Sequence, residues 1–375
     1  MATITTSQAA PLSVGYWPDL PVGIKNGIGI SVGDVVYVGL GSSGSGLYSL
    51  DVKDPGRGWE KKAAFIGPDT HGAAAAVSDG KIFVFSGNGK ASPDARSPII
   101  FDSVYEYDIA ADRWDKVDTR APVGLSGARA LSLRDGRIAI IGGYNKELFD
   151  RYLADVADLD RERNPAEFAN LVNRYMSMHP DDYHWNGRVL CYEPKMSTWS
   201  DLGQNPFLPN CDSAAVTVGE NRFVVIGGEI KPGLRTPMVK SVVFGDRDCL
   251  WQRLADLPTP AADQRQEGVA GAFAGCYGEQ ILVAGGVNFK GSQENAAGGK
   301  WYAHEGLTKK WRDEVYTFDG KEWREIGKLP NGLGYGTSFS LPDGMLIVGG
   351  EDSEGKARTE VFAVRILDAG VVLES

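Results

Sequence analysis

Six apolar runs of four residues recur along the chain, each closed by a glycine doublet or its remnant. They are Val35-Val36-Tyr37-Val38, Ile82-Phe83-Val84-Phe85, Ile138-Ala139-Ile140-Ile141, Phe223-Val224-Val225-Ile226, Ile281-Leu282-Val283-Ala284 and Met345-Leu346-Ile347-Val348. Intact doublets follow the last four at Gly142-Gly143, Gly227-Gly228, Gly285-Gly286 and Gly349-Gly350, and the first two keep only Gly39-Leu40-Gly41 and Ser86-Gly87. Turn pairs such as Asp79-Gly80, Asp135-Gly136 and Asp343-Gly344 precede the runs, which is hairpin chemistry. A tryptophan marks each unit at Trp17, Trp59, Trp114, Trp199, Trp251 and Trp323, and lies 24 to 35 positions before the end of its doublet. The interval from doublet to the next tryptophan varies from 18 to 56, so the framework lies on one side and the insertions on the other. A further strand, such as Leu47-Tyr48-Ser49-Leu50 or Val315-Tyr316-Thr317-Phe318, fits between doublet and tryptophan.

The pattern predicts a four-stranded antiparallel meander per unit, too small to bury both of its faces alone. Six such units stacked around an axis cover one another and protect their edges. Apolar run, Gly-Gly, aromatic and Trp together resemble the kelch repeat. The expected fold is therefore all-β, a single six-bladed kelch-type β-propeller over residues 1–375. Two closures of the ring compete: the segment around Trp17 completing the last blade, which the position of the tryptophans favours, or the tail Gly370-Val371-Val372-Leu373. Residues 147–183, inside the third unit, instead read as a helical insertion. Leu148, Tyr152, Leu153 and Val156 recur at helical spacing, as do Phe168, Leu171, Val172 and Tyr175, with Pro165 at a first-turn position. It is either a decoration or a lid over the channel mouth.

Thirty-nine Lys and Arg against 49 Asp and Glu give a net charge of −10, with no global positive field to attract nucleic acid or an anionic membrane. A small anion held by local basic residues is still compatible. No stretch reaches the length of a membrane span. No leader precedes Lys25, so the chain as it stands reads as cytoplasmic, or as periplasmic if a leader has been removed. Cys191, Cys211, Cys249 and Cys276 match neither a zinc pattern nor a disulfide framework and read as reduced. The sequence leaves room for a homo-oligomer.

In a meander, the loop leaving the second strand and the loop approaching the first share one end of the blade. Residues after each doublet and before each inner strand therefore gather at one channel mouth. The first set includes Asn88, Lys90, Asn145, Glu229, Lys231, Arg235, Asn288, Lys290, Glu351 and Asp352, and the second Asp69, His71, Arg129, Asp212, Arg265, Gln266, Glu267 and Tyr335. Convergence of Lys90, Arg129, Lys231, Arg235, Arg265 and Lys290 predicts a site for a small hydroxylated anion. Glu229, directly after Gly228 and six residues before Arg235, suits a general base beside an anchored carboxylate, although the spacing by itself favours a loop-stiffening salt bridge. Four scattered histidines give no metal-ligand spacing, and neither a nucleophile elbow nor a phosphate loop is present.

Three segments carry a more specific likeness: Gly228-Glu229-Ile230-Lys231-Pro232-Gly233-Leu234-Arg235-Thr236, Gly268-Val269-Ala270-Gly271-Ala272-Phe273-Ala274-Gly275 and Ala284-Gly285-Gly286-Val287-Asn288-Phe289-Lys290-Gly291-Ser292. With Lys300-Trp301-Tyr302-Ala303-His304-Glu305-Gly306-Leu307, they resemble the bacterial N-acetylneuraminate epimerases, or sialic acid mutarotases. The resemblance implies an isomerase that interconverts the α and β anomers of N-acetylneuraminic acid without metal or cofactor. It implies Glu229 as proton acceptor and Arg235 as partner of the substrate carboxylate. Arg265, Lys290, Asn145 and Lys90 are candidate substrate contacts, and Tyr302 and His304 are further contacts and candidate acids. The competing reading is a kelch propeller that binds a glycan or protein without turnover.

Overall fold

The computed structural model describes residues 17–219, 222–367 and 370–374. Six four-stranded antiparallel sheets follow one another in chain order, each a meander, with a short two-stranded sheet between the second and third strands of the second, fourth and fifth and a helical insertion at the same place in the third. Their inner strands are Ile28–Val32, Ala74–Ser78, Arg129–Ser132, Ala214–Val218, Phe273–Tyr277 and Thr337–Leu341. The six apolar runs are the second strands, and they are buried at nearly every position because each is covered by the neighbouring blade on both faces. One apolar cluster lies between every adjacent pair of blades, including the last and the first, where Val36, Val38 and Leu50 meet Phe339, Leu346 and Val348. The chain is a six-bladed β-propeller.

The repeated tryptophans tie segments together at the rim. The indole N–H of Trp114 donates to Ala63 O at 2.9 Å and that of Trp323 to Ala255 O at 2.9 Å, each acceptor lying on the chain that leaves the preceding blade. Trp59 donates instead to Pro18 O of the N-terminal segment, at 2.8 Å. The outer strand of the last blade is Gly370–Glu374, paired with Ala357–Leu367. Closure by the tail thus replaces the favoured closure by the N-terminal segment. Trp17, Leu20 and Ile24 bridge the sixth and first blades instead, and the part of that segment before Trp17 lies outside the described residues.

Two belts of backbone hydrogen bonds run around the channel mouth. Gly41, Gly143, Gly228, Gly286 and Gly350, each the second residue of its doublet, donate across to the next blade, as Gly228 does to Val269 O at 2.7 Å and Gly286 to Leu333 O at 2.8 Å. Both doublet positions have positive φ, and the degenerate pairs Leu40-Gly41 and Ser86-Gly87 keep that conformation. A Cβ on Gly228 would lie 2.7 Å from Cys211 O, which leaves room only for glycine.

The inner belt is a closed hexagon. Asn26 donates to Tyr335, Tyr335 to Gly271, Gly271 to Asp212, Asp212 to Gly127, Gly127 to Gly72 and Gly72 to Asn26, at 2.7–2.9 Å. All six residues have φ between 51° and 75°, since only the left-handed conformation turns the amide sideways to the neighbouring blade.

Between the second and third strands of the third blade, residues 142–187 carry helix α1 (Lys146–Asp158), helix α2 (Pro165–Met176) and a turn at Pro180–Tyr183. Pro165 opens α2 in its first turn. Phe149 and Tyr152 of α1 pack with Tyr175, Tyr183 and Trp185 into an aromatic cluster beside Cys211, so the insertion rests on the channel mouth. No helix among the described residues is long and apolar enough to cross a membrane.

The belt predicts unequal costs for two glycines of like φ. Gly33, at 59°, has open space where a Cβ would stand, whereas a Cβ on Gly271, at 62°, would lie 2.5 Å from the Tyr335 ring. Gly33→Ala should cost only the left-handed penalty of about 1–2 kcal/mol. Gly271→Ala should lower the melting temperature distinctly further, because Tyr335 must move as well. Equal losses in a thermal denaturation experiment would show that the belt is not tightly packed.

Candidate functional site

Glu229 is the first residue after the fourth doublet. The strand Glu229–Lys231 turns at Pro232-Gly233 and pairs with Leu234–Arg235, so that Glu229 and Arg235 face one another across a hairpin. The six-residue spacing in the sequence is this cross-strand register. Arg235 Nη2 meets Glu229 Oε1 at 2.8 Å, with side chains only 4% and 9% exposed. The Gly233 amide donates to the same carboxylate oxygen at 3.3 Å, and the Tyr144 hydroxyl donates to Oε2 at 2.9 Å. Gly233 has φ 80°, and a Cβ there would fall inside the His304 ring.

The Arg235 guanidinium lies 4.7 Å over the Phe289 ring and donates to the Tyr335 hydroxyl at 3.4 Å. Its Nε and Nη1 are buried without a partner among the described residues. Burial opposes its charge, but the Glu229 carboxylate and Tyr335 together outweigh burial and hold the guanidinium charged. The pair opens into a cleft of about 320 Å³ lined also by Tyr144, Phe149, Tyr175, Met176, His304 and Lys309. Burial, then Arg235, push His304 down to about 4, so its ring is neutral near pH 7. Deeper in the channel, Asp212 belongs to the inner belt. Burial and then Glu229 push its carboxyl up to about 6, against the pull of Arg129, Arg235 and Lys309.

The structure brings Glu229, Arg235 and His304 to one cleft, with Tyr302 stacked edge-on against His304 at 5.0 Å. It places the other candidates elsewhere. Asn145 caps α1, accepting from the Leu148 amide and donating to His184 O. Lys290 is exposed and paired with Asp263 at 2.8 Å, and Lys90 and Arg265 are exposed outside the cleft. The six cations therefore do not converge as the loop argument predicted. Lys231 is fully buried, donating at 2.5 Å to both Met176 O and Trp301 O beneath Tyr183.

Sequence reasoning missed Tyr144, Tyr175, Phe289 and Lys309. Tyr144 carried a usable signal, since it follows Gly142-Gly143 as Glu229 follows Gly227-Gly228. Tyr175 was legible only as part of the apolar face of the insertion, and Lys309 carried no signal, because a distant loop brings it to the mouth.

The family model described as N-acetylneuraminate epimerase matches residues 17–373. The chain is 58% identical to the N-acetylneuraminate epimerase of Brucella melitensis biotype 1 over 365 residues, covering 97% of this chain and 94% of that protein. It is 47% identical to the N-acetylneuraminate epimerase of Vibrio cholerae serotype O1, covering 96% and 94%. A solved structure described as "Structure of YjhT" superimposes with a TM-score of 0.88 at 33% identity, covering 96% of this chain and 99% of that one.

Asp212 gives the site a pH signature. Its folded value of about 6 lies above the ordinary carboxylate value, so folding favours the protonated form. That contribution is present below the unfolded value and is lost as pH rises through about 6. Asn also tolerates the left-handed backbone. Asp212→Asn should therefore gain on the wild type as pH rises, its relative melting temperature increasing by about 1–3 °C between roughly pH 4 and pH 8. A pH-independent difference in a melting series would contradict the raised value.

Proposed function

This chain belongs to the N-acetylneuraminate epimerase family, and on that premise we propose that its channel mouth interconverts the α and β anomers of N-acetylneuraminic acid. The observation that carries this reading is the buried Glu229–Arg235 pair, in which two guanidinium nitrogens lack a partner among the described residues beside a cleft. A buried ion pair contributes little net stability, and buried donors without acceptors are costly. A carboxylate-bearing ligand supplies such acceptors.

Anomerisation of a 2-keto sugar requires removal of the anomeric hydroxyl proton and delivery of a proton to the ring oxygen as the ring bond breaks. The open keto form rotates about one bond and recloses on its other face. Glu229 takes the anomeric proton and Arg235 holds the carboxylate on the same carbon, which places that carbon beside the base. Because the reaction proceeds slowly in water, an acid and base contributing about 10²–10⁴-fold are sufficient. A propeller that only bound a glycan would have no use for a carboxylate held against the anomeric centre.

The helical insertion serves as a roof. Phe149, Tyr175 and Met176 close one side of the cleft, and Lys231 fastens Met176 of the roof to Trp301 of the loop after the fifth doublet. Burial lowers Lys231 to about 8 despite Glu229. Lys231→Met keeps much of the volume but loses both ties, and should raise KM several-fold with a smaller effect on kcat. An unchanged KM would separate the roof from substrate binding.

The central test follows α-N-acetylneuraminic acid, freshly released by a sialidase, by proton NMR. The protein should speed the approach to an unchanged α/β equilibrium. Glu229→Gln should remove about 10²–10⁴-fold of that acceleration, and Arg235→Lys should weaken saturation by about tenfold or more by losing bidentate geometry. Full acceleration by Glu229→Gln would remove it from the chemistry.

A further inference from the structure

The reaction needs an acid as well as a base, and the cleft holds a hydroxyl in direct contact with the base. Glu229 divides its oxygens between two sides. Oε1 is engaged by Arg235 Nη2 at 2.8 Å and by the Gly233 amide at 3.3 Å. Oε2 receives the Tyr144 hydroxyl at 2.9 Å. Tyr144 lines the same cleft, and its ring is fixed by Trp185 at 4.5 Å and Phe149 at 4.9 Å. Its amide donates to Ser126 O at 3.0 Å, so backbone and ring are both held.

We propose that Tyr144 is the general acid of the anomerisation, acting as one unit with Glu229. The inference rests on the epimerase reading above. The anomeric hydroxyl and the ring oxygen are borne by one carbon, so the groups that serve them must themselves be neighbours. Glu229 Oε2 and the Tyr144 hydroxyl, in hydrogen-bond contact, form such a pair. The other candidates are less well placed. His304 is neutral near pH 7 and so a poor proton donor, and Tyr302 packs against His304 rather than against Glu229.

The proton balance closes within the pair. As the anomeric O–H proton moves to Glu229, its electron pair forms the carbonyl and the bond from carbon to ring oxygen breaks. The pair released to the ring oxygen takes the Tyr144 proton. A neutral carboxylic acid and a phenolate are left side by side, and transfer of one proton from Glu229 to Tyr144 restores both. Reclosure on the opposite face runs the same steps backwards, with no net proton gained or lost. Burial and the Glu229 carboxylate raise Tyr144 well above the usual tyrosine value, so it holds its proton at rest. Once Glu229 has taken the anomeric proton, the carboxylate charge that raises Tyr144 is gone, and the alkoxide forming at the ring oxygen can take the phenol proton.

Tyr144→Phe keeps the ring packing and removes only the hydroxyl. We expect kcat for the α-to-β conversion to fall about 10²-fold or more, with KM within about threefold of wild type. Tyr144→Phe/Glu229→Gln should be little slower than Glu229→Gln alone, because groups acting as a unit are not additive. A proton inventory in H₂O/D₂O mixtures adds a readout that mere misplacement of Glu229 would not change: curved for wild type, with two protons in flight, and linear for Tyr144→Phe. An unchanged kcat for Tyr144→Phe alongside an inactive Glu229→Gln would overturn Tyr144 as acid and leave the base assignment intact. Equal curvature in both inventories would also overturn it. A fully active Glu229→Gln would instead remove the reading on which the pair depends.

Discussion

The closed hexagon of backbone hydrogen bonds at the channel mouth is the constraint from which the rest of the site follows. Each inner strand is approached through a residue in the left-handed conformation, and each such amide is satisfied by the neighbouring blade. The belt sets how closely the blades approach the axis. Glycine fills three of its positions, and Asn26 and Asp212 are residue types that accept this backbone most readily. Tyr335 is the exception. A bulky residue in this conformation carries strain, and its hydroxyl accepts from Arg235 Nη2 at 3.4 Å.

With the belt fixed, the residue following each doublet has a determined place on the rim. Antiparallel bridges pair Asn88 with His71, Glu229 with Cys211, Val287 with Ala270 and Glu351 with Gly334. The two acids in this register have different fates. Glu351 is neutralised by Lys25 and Lys309, each at 2.7 Å. Glu229 meets one arginine, the Gly233 amide and one tyrosine hydroxyl, and has no lysine partner among the described residues. A local arrangement of partners, and not the chain's net charge of −10, decides how each carboxylate is compensated.

The helical insertion forms one side of the cleft. Its aromatic residues give the cleft a low-polarity wall, in which the ion pair acts with less competition from water. Lys231 shows how burial redirects a charge. Its ammonium is satisfied by two carbonyls from separate segments and a tyrosine face, so it joins elements rather than meeting an anion in the cleft.

Six blades are legible along the chain because a strand covered on both faces must be apolar throughout and the backbone that crosses to the next blade favours glycine, and both requirements repeat. The insertion is legible too, since its helical period interrupts that repeat, and so is the Glu229–Arg235 pair, whose spacing is the register of a short hairpin. Which charges share the mouth is settled only by folding. Lys90, Arg265 and Lys290 sit on loops of the right class but outside the cleft, and Asn145 is consumed as a helix cap. Loop position specifies an end of the blade and not the direction of a side chain. The tyrosine that meets Glu229 holds the matching post-doublet place in the preceding blade, 85 positions distant; the repeat specifies that place, and only packing around the axis makes the contact.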